Sequence, residues 1–383
     1  MKHKVKLQCG DLHLSIHRAD LTLDQLLDFA SRANPKRGFL FVSKILGKHL
    51  ACSPAQMRMS YDLLARKIGM SSRISLVIGM AETATGLGAG VAESLAQVSN
   101  AQGKVIYQQT TRHELDVERF VYFDEVHSHA PDQLIYPPSP ELNEAYLQCE
   151  RLVLVDDEIS TGRTLKELAL ALSTRLHQIS AKPLAQYEVI FVSLVSWLSE
   201  DQKTSLQKLC PFQIRFESLL EGSFSFEPNP EFRPKLPGQV SSCQKAMNPH
   251  IDLGRRGIDI LEFSNQIKES FRPLKSLKKE QAVVVIGTGE FTYVPFLLAE
   301  YLQNQGFEVS FQSTTRSPIL ESEVIQSSLK FLDEHGEGVS NYLHNPPLDQ
   351  QQIVIAYESE LCEQTHNLAS QFGEHCFTWI CPF

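Results

Sequence analysis

Residues 151–165 read RLVLVDDEISTGRTL. The side chains there that could do chemistry are two adjacent acids, Asp156 and Asp157, followed by the hydroxyls of Ser160, Thr161 and Thr164 around Gly162. Two neighbouring carboxylates are acceptors able to hold a vicinal diol. A small-residue loop that opens onto a helix offers free backbone N–H groups, a favourable dipole and hydroxyl donors, which suits an anion such as phosphate. Gly162 permits close approach or a positive φ. A sugar with two hydroxyls and a nearby phosphate fits these groups, and a ribose 5-phosphate unit answers that description. A plain strand-to-helix turn would use Asp157 or Thr161 only as a cap. The four apolar residues before the acids and the closing Thr164 speak against it.

A strand and a helix must hold those groups. Leu152, Val153, Leu154 and Val155 form a short, bounded apolar run that reads as a fully buried strand. From Leu165 onward, LKELALALSTRLHQI repeats apolar residues at helical spacing. The acids therefore sit where a central strand hands over to a helix, and open α/β sheets bind ligands at such places. The alternation extends along the chain. SLVIGM, KVIYQQT and YEVIFVSLV read as strands, and LGAGVAESLAQV and ELNEAYLQC as helices. An α/β fold is expected, with a parallel sheet covered by helices on both faces. Upstream lie a short strand pattern, a helix over LTLDQLLDFASRA and the basic segment NPKRGFLFVSKILGKH. Residues 112–140 form a long polar connection of the kind that serves as a lid.

With 383 residues and 42% hydrophobic content, the chain can bury a large core in two domains. A net charge of -9 leaves no footprint for nucleic acid or a membrane as partner. No run approaches a membrane span, and the N-terminus lacks the apolar stretch of a signal peptide. The eight cysteines are scattered with no C-x-x-C pair, as expected of free thiols in a reducing cytoplasm. The Pro- and Gly-rich run from Phe226, FEPNPEFRPKLPGQVSSCQ, reads as a linker. The expected division is residues 1–230, a linker at 231–250 and a smaller α/β domain at 251–383.

That second part resembles the first. VIGTGEF matches VIGMAET, QSTTRS matches QQTTRH, and IVIAYE falls where LVLVDDE falls, so Glu290 and Arg316 correspond to Glu82 and Arg112. Three matches in order point to an internal duplication. The copy has Ala356, Tyr357 and Glu358 where the paired aspartates should be, and no Thr-Gly loop follows.

The string V-L-V-D-D-E-I-S-T-G-R-T resembles the signature of type I phosphoribosyltransferases, which bind 5-phosphoribosyl-1-diphosphate (PRPP). NPKRGFLFVSKILGKH, QTTRHE and STTRSP resemble the orotate-phosphoribosyltransferase-like proteins found with bacterial tellurium-resistance and stress gene clusters. Their C-terminal part is named for a Thr-Arg-Ser-Pro motif, here Thr315, Arg316, Ser317 and Pro318. The resemblance covers nearly the whole chain. It implies a Rossmann-like parallel sheet with an N-terminal hood, followed by a related α/β domain. The implied reaction moves ribose 5-phosphate from PRPP to a small-molecule acceptor, with release of diphosphate, in a stress-associated nucleotide-like pathway.

By that resemblance Asp156 and Asp157 hold the ribose hydroxyls. Ile159, Ser160, Thr161, Gly162, Arg163 and Thr164 surround the 5-phosphate. Gly79, Met80, Ala81, Glu82 and Thr83 stand at the diphosphate loop, where small residues let backbone N–H groups reach a ligand. Arg112, with His113 beside it, would pair with diphosphate. Catalysis would rest on Glu82, Arg112, Asp156 and Asp157. Magnesium is implied, bridging diphosphate and ribose oxygens and keeping most of its water. Asp156 and Asp157 would reach it only through PRPP and water.

Several positions depart from the pattern or stay open. The charge of Glu82 would repel diphosphate unless a metal intervenes or the side chain faces the acceptor, which leaves acceptor ligand or general base. Glu158 stands where the signature carries an apolar residue. Ser160 stands where purine-salvage enzymes keep an acid, and a serine cannot exchange a proton with the base at neutral pH. A 6-oxopurine acceptor is therefore disfavoured. Lys44 and Lys48 are phosphate or acceptor contacts, or part of a solvated face. His127 and His129 are two metal ligands without a third, or a polar loop. Arg255 and Arg256 bind an anion or form an exposed basic turn. Gly289, Glu290, Thr315 and Arg316 are expected to form a second anion site that does not accept PRPP, or to shape an internal pseudo-dimer; a homodimer is the alternative. A sensor that binds PRPP or a nucleotide without turnover, or a nucleotide phosphorylase or hydrolase, would need the same ribose-phosphate groups.

Overall fold

The structure is a computed structural model that describes residues 1–32, 37–99, 103–124, 132–233 and 252–382. The apolar run at Leu152 becomes the strand Arg151–Ile159, whose residues up to Val155 are buried. Parallel neighbours flank it on both sides, Ser75–Gly79 and Glu188–Ser196. Beyond these, Val105–Gln109 and Gln213–Pro228 also run parallel. All five residues of Ser75–Gly79 and of Val105–Gln109 are buried, as expected of strands covered on both faces. The strands Lys2–Leu7 and Gly10–Ala19 continue the sheet antiparallel at one edge, and Ile258–Asp259 closes the other, eight strands in all. The helices Pro54–Ile68, Thr85–Val98 and Arg163–Ser180 pack on this sheet.

The helix expected over LTLDQLLDFASRA is only one turn, Leu23–Leu26, opened by a capping box between Thr22 and Gln25. Leu27–Ser31 then becomes a strand paired antiparallel with Phe39–Ser43. Cross-strand pairing overrides the helical spacing of the leucines, because it places Phe29 edge-on against Phe41 and buries both Ala30 and Val42. This hairpin is the hood.

A second sheet carries four parallel strands in the order Val309–Ser313, Val283–Gly287, Gln352–Tyr357 and Cys376–Ile380. Val105–Gln109, Ser75–Gly79, Arg151–Ile159 and Glu188–Ser196 follow the same order in the main sheet. Each series also carries an antiparallel hairpin between its second and third chain segments. These are Val121–Asp124 with Asp132–Ile135, and Ser328–Leu332 with Ser340–His344. The two halves are not separate bodies. One hydrophobic cluster includes Tyr61, Leu76 and Tyr107 from the first and Val283, Phe296 and Phe311 from the second. Their leading segments are also exchanged. Gly254, which precedes the second half, accepts from Gln109 N of the first at 2.9 Å. Cys52, which precedes the first half, trades backbone hydrogen bonds of 2.8 and 3.0 Å with Phe311 of the second. Of the expected linker at 231–250, residues 234–250 lie outside the described residues, as do His127, Ser128 and His129 of the 112–140 connection.

Candidate active site

A cleft of about 720 Å³ opens at the carboxyl ends of the central parallel strands. On one wall Arg151–Ile159 ends in Asp156 and Asp157, with Asp156 Oδ1 accepting from Asp157 N at 3.0 Å. Burial, and next the charge of Glu158, push the Asp157 carboxyl up to about 6. Ile159, Ser160, Thr161, Gly162, Arg163 and Thr164 continue that wall. Gly162 has φ +66° and precedes a helix that no side chain caps. Arg163 N donates to Thr161 Oγ1 at 3.4 Å, and the N–H groups next to it at the helix start suit an anion. A Cβ on Gly162 would lie 2.7 Å from Leu206 Cδ1, on the side of the loop that also faces Leu198 and Ile159. Glycine is required here by the left-handed backbone and the packing behind the loop, not by a need for space on the ligand side.

The facing wall is the loop after Ser75–Gly79. Met80, Ala81, Glu82 and Thr83 border the cleft. Gly79 lies underneath it, where a Cβ would meet Ala84 O at 2.7 Å and Tyr107 Oη at 2.9 Å. Ala81 N donates to Thr110 Oγ1 at 2.7 Å, which fixes the loop to the next strand. Arg112 is buried to 9% exposure, and its guanidinium donates to Ala81 O at 3.4 Å. Glu82 meets Lys48 Nζ at 2.6 Å, Arg316 N at 3.4 Å and Arg316 Nε at 4.0 Å. Lys48 is only 2% exposed and also donates to Gly289 O at 2.8 Å, so the solvated-face reading does not hold for it. Lys44 is the solvated one, paired with Asp28 at 3.5 Å.

The hood supplies the third side. Arg37 donates both to Glu158 Oε1 at 2.9 Å and to Oε2 at 3.0 Å, and lies over the Phe39 ring at 4.7 Å. The acid that departs from the signature thus ties the hood to the end of the central strand. Phe39, Trp197 and Phe224 give this part of the cleft an aromatic lining.

The second half contributes Thr315, Arg316 and Ser317 to this same cleft. Thr315 and Ser317 border this cleft apart from Gly289 and Glu290, and Arg316 borders both. The space beside Gly289, Glu290 and Arg316 is about 10 Å³ and is also bordered by Glu82, Asp333 and Glu334. That is room for one water at most, among acids. Burial would raise the Glu290 carboxyl, but the charges of His113 and Arg255 and hydrogen bonds from Thr111 and Arg112 N bring it down to about 2. Glu334 lies against Gly289, and burial pushes its carboxyl up to about 7. Arg255 is 1% exposed and pairs with Glu358 at 2.7 Å and Glu290 at 3.4 Å, so it is no exposed turn; its anions are the protein's own.

Among the described residues, the converging trio of metal-ligating side chains is Asp11, His13 and Glu227, outside the cleft, where Lys4 already holds Asp11 at 2.7 Å. No described helix is long and apolar enough to cross a membrane.

A parallel α/β sheet with acids and a helix start at its carboxyl edge is the class of fold that binds ligands in the crevice there. The profile of a phosphoribosyl transferase family matches residues 26–223, and that of the TRSP domain C-terminal to it matches residues 252–372. The chain belongs to this phosphoribosyl transferase family and is a phosphoribosyltransferase. Among solved structures it is similar to orotate phosphoribosyltransferase from Aeropyrum pernix, at 19% identity over 48% of this chain and 78% of that chain, with a TM-score of 0.27. Adenine phosphoribosyltransferase from Trypanosoma brucei is similar at 14% identity over 51% and 77%, TM-score 0.29. The Saccharomyces cerevisiae adenine enzyme is similar at 15% identity over 51% and 96%, TM-score 0.30. No curated protein matches the chain.

The sequence reading did not find Arg32, Arg37, Phe39, Trp197 or Phe224 as cleft residues. For Lys48 and Arg255 a signal was present. Leu46, Gly47, Lys48 and His49 repeat as Leu253, Gly254, Arg255 and Arg256. This fourth match in the duplication places a cation at Glu82 in one half and at Glu290 in the other.

Proposed function

We propose that the protein transfers ribose 5-phosphate from PRPP to a small-molecule acceptor and releases diphosphate. The observation that carries this reading is the division of one cleft into two anion-suited walls with a diol-binding pair on one of them. Asp156 and Asp157 would accept hydrogen bonds from the ribose hydroxyls. Residues 160–164, with their uncapped helix start, would take the 5-phosphate. Met80, Ala81 and Thr83, backed by Arg112 and Lys48, would receive the diphosphate. The aromatic lining under the hood suits a planar acceptor ring placed over C1 of the ribose. As the C1–O bond to diphosphate breaks, oxocarbenium-like charge develops on the sugar. The fixed cations stabilise the departing oxygens, and orienting the two reactants supplies much of the rest.

Glu82 engages Lys48 and Arg316, which supports a holding role for its carboxylate in place of general base. Magnesium fits this site. Asp156 and Asp157 both border the cleft, and among the described residues no trio of metal-ligating side chains gathers there, which suits an ion carried mainly by phosphate oxygens and water. When bound it would neutralise diphosphate charge. Ser160 at the loop supports an acceptor other than a 6-oxopurine. The resemblance to proteins of tellurium-resistance and stress clusters supports a place in nucleotide-like metabolism under stress.

The test is diphosphate release by the purified full-length protein with PRPP, magnesium and a panel of bases and cell extract. Release is expected with an extract component, and hypoxanthine and guanine should be poor acceptors. PRPP that binds without any release would replace this reading with that of a sensor. Rapid release with either purine would refute the inference from Ser160.

A further inference from the structure

The two halves use one hydrogen-bond scheme at their ligand-side loops. Thr110 N donates to Gly79 O at 3.0 Å, and Thr314 N to Gly287 O at 3.0 Å. Thr110 Oγ1 accepts from Ala81 N at 2.7 Å, and Thr314 Oγ1 accepts from Gly289 N at 2.8 Å. Thr111 is bridged to Leu134, and Thr315 to Tyr342. His113 N turns back onto Thr111 Oγ1 at 3.2 Å, and Ser317 N onto Thr315 Oγ1 at 3.1 Å.

The contacts then cross between halves. Glu290 of the second half accepts from Arg112 N at 2.9 Å and from Thr111 Oγ1 at 2.6 Å, both in the first. Glu82 of the first half accepts from Arg316 N of the second at 3.4 Å. Each half's glutamate therefore holds the other half's arginine loop. The outcomes differ. Arg112 and Arg316 both border the 720 Å³ cleft, whereas the space beside Gly289 and Glu290 in the second half is about 10 Å³.

At the Glu82 end of that cleft, the charged side chains on the wall are Lys48, Arg112 and Arg316 against Glu82 alone. Glu337 holds Arg316 Nη2 at 3.0 Å from behind, and Glu290 holds the Arg112 loop; both acids are buried. A wall with an excess of cations, held rigid by acids that do not face the ligand, suits a polyanion.

We propose that the second half is a built-in partner subunit for the first: Arg316 contacts the diphosphate of the bound donor, and Glu290 is a positioning residue that fixes Arg112 for the same group. This rests on the proposed function for the identity of the donor. It assigns the Thr315–Arg316–Ser317 loop to the first half's cleft and gives the closed second site no ligand of its own.

The experiment titrates ribose 5-phosphate, inorganic diphosphate with magnesium, and PRPP with magnesium into wild-type protein and Arg316→Ala. Ribose 5-phosphate lacks the group that Arg316 would touch. The variant should keep that affinity within about twofold and lose roughly tenfold or more for diphosphate and PRPP. Wild-type affinity for diphosphate and PRPP in the variant overturns the proposal. Should Arg316→Ala not fold, Arg316→Gln with Glu337→Gln removes the pair together and takes its place. Glu290→Gln should weaken diphosphate several-fold and leave ribose 5-phosphate unchanged. A purely structural role would lower the melting temperature without changing the ratio of the two affinities, and that result would overturn the part assigned to Glu290. A wild-type protein that binds diphosphate but not ribose 5-phosphate would sink the proposed function, and the diphosphate arm would still decide the role of Arg316.

Discussion

The third parallel strand of each half ends in a different way. Arg151–Ile159 delivers two aspartates and a loop whose helix starts at a left-handed Gly162 with no capping side chain. Gln352–Tyr357 delivers Glu358, which is spent on Arg255, and Ser359, which caps the next helix by accepting from Cys362 N. In the first half Asp156, Asp157 and the loop after them border the cleft, and Glu158 is held by Arg37. In the second the polar groups at the strand end are satisfied within the protein, by a serine cap, by Arg255 and by the acids of residues 333–337. The strand order and the loop hydrogen bonds are the same in both. On the proposed reading, ligand capacity lies in a few residues at one strand end, and two scaffolds with the same strand order can differ in it.

The largest test of that difference removes it. Asp156→Asn with Asp157→Asn leaves the first strand end, like the second, with a single acid, Glu158 against Glu358. Ribose 5-phosphate and PRPP should then bind roughly a hundredfold more weakly or not at all, because two charge-assisted hydrogen bonds become neutral ones. The melting temperature without ligand should hardly change. Near-normal affinity would mean that these acids are not what separates the halves.

Residues 151–165 were readable because everything they need is local: a buried strand, a loop and a helix start follow one another in the chain. The alternation of strands and helices and the likeness between the halves were readable for the same reason, since each apolar run and its following loop carry their own pattern. What joins segments distant in the chain was not. Glu158 finds Arg37 across 121 positions, and Arg112 N finds Glu290 across 178. Around Lys48 and Arg255 only the repeat of Leu-Gly-cation tells a buried cation from a solvated one, and it does not name the acid each meets. The hood was misread because Leu21, Leu23, Leu26 and Leu27 have helical spacing, while the pairing that decides the outcome comes from Phe39–Ser43.

The next test strikes the tie between the halves. Glu290 is buried, and its carboxyl lies near 2 against an ordinary value of 4.5. A folded-state value below the unfolded one means that ionised Glu290 stabilises the fold above pH 4.5, and that this contribution fades as pH falls from there toward 2. Glu290→Gln should cost about 3 kcal/mol near neutral pH. In urea unfolding, the gap between wild type and variant should narrow steadily below pH 4.5. A gap that does not depend on pH would show that charge is not what Glu290 contributes.

A smaller effect separates the two strand ends by titration. The Asp157 carboxyl is raised to about 6, so the free protein binds a proton there in mild acid. A protonated carboxyl has lost acceptor capacity, and affinity for ribose 5-phosphate should fall about tenfold between pH 7.5 and 5 from this group alone. The sugar phosphate titrates in the same range, so the measure is the difference in slope between wild type and Asp157→Asn. Equal slopes would remove Asp157 from the diol site.

The smallest effect comes from the caps themselves. Ser359 accepts from Cys362 N at 3.3 Å at the start of Glu360–Thr365, where the first half has only Gly162. Ser359→Ala leaves that N–H without its partner and should cost about 1 kcal/mol of stability. If the second strand end has become purely internal, ligand-induced stabilisation of the protein should be the same in this variant as in wild type, shifted down with the baseline. Gly162→Ala should behave in the opposite way. A methyl group at φ +66° near Leu206 strains the loop by roughly 1–2 kcal/mol, and the loop can relax only by moving the N–H groups assigned to the phosphate. Its cost should therefore appear in ribose 5-phosphate affinity as well as in melting temperature. A Ser359→Ala variant with altered ligand affinity, beside a Gly162→Ala variant without it, would reverse the roles given to the two strand ends.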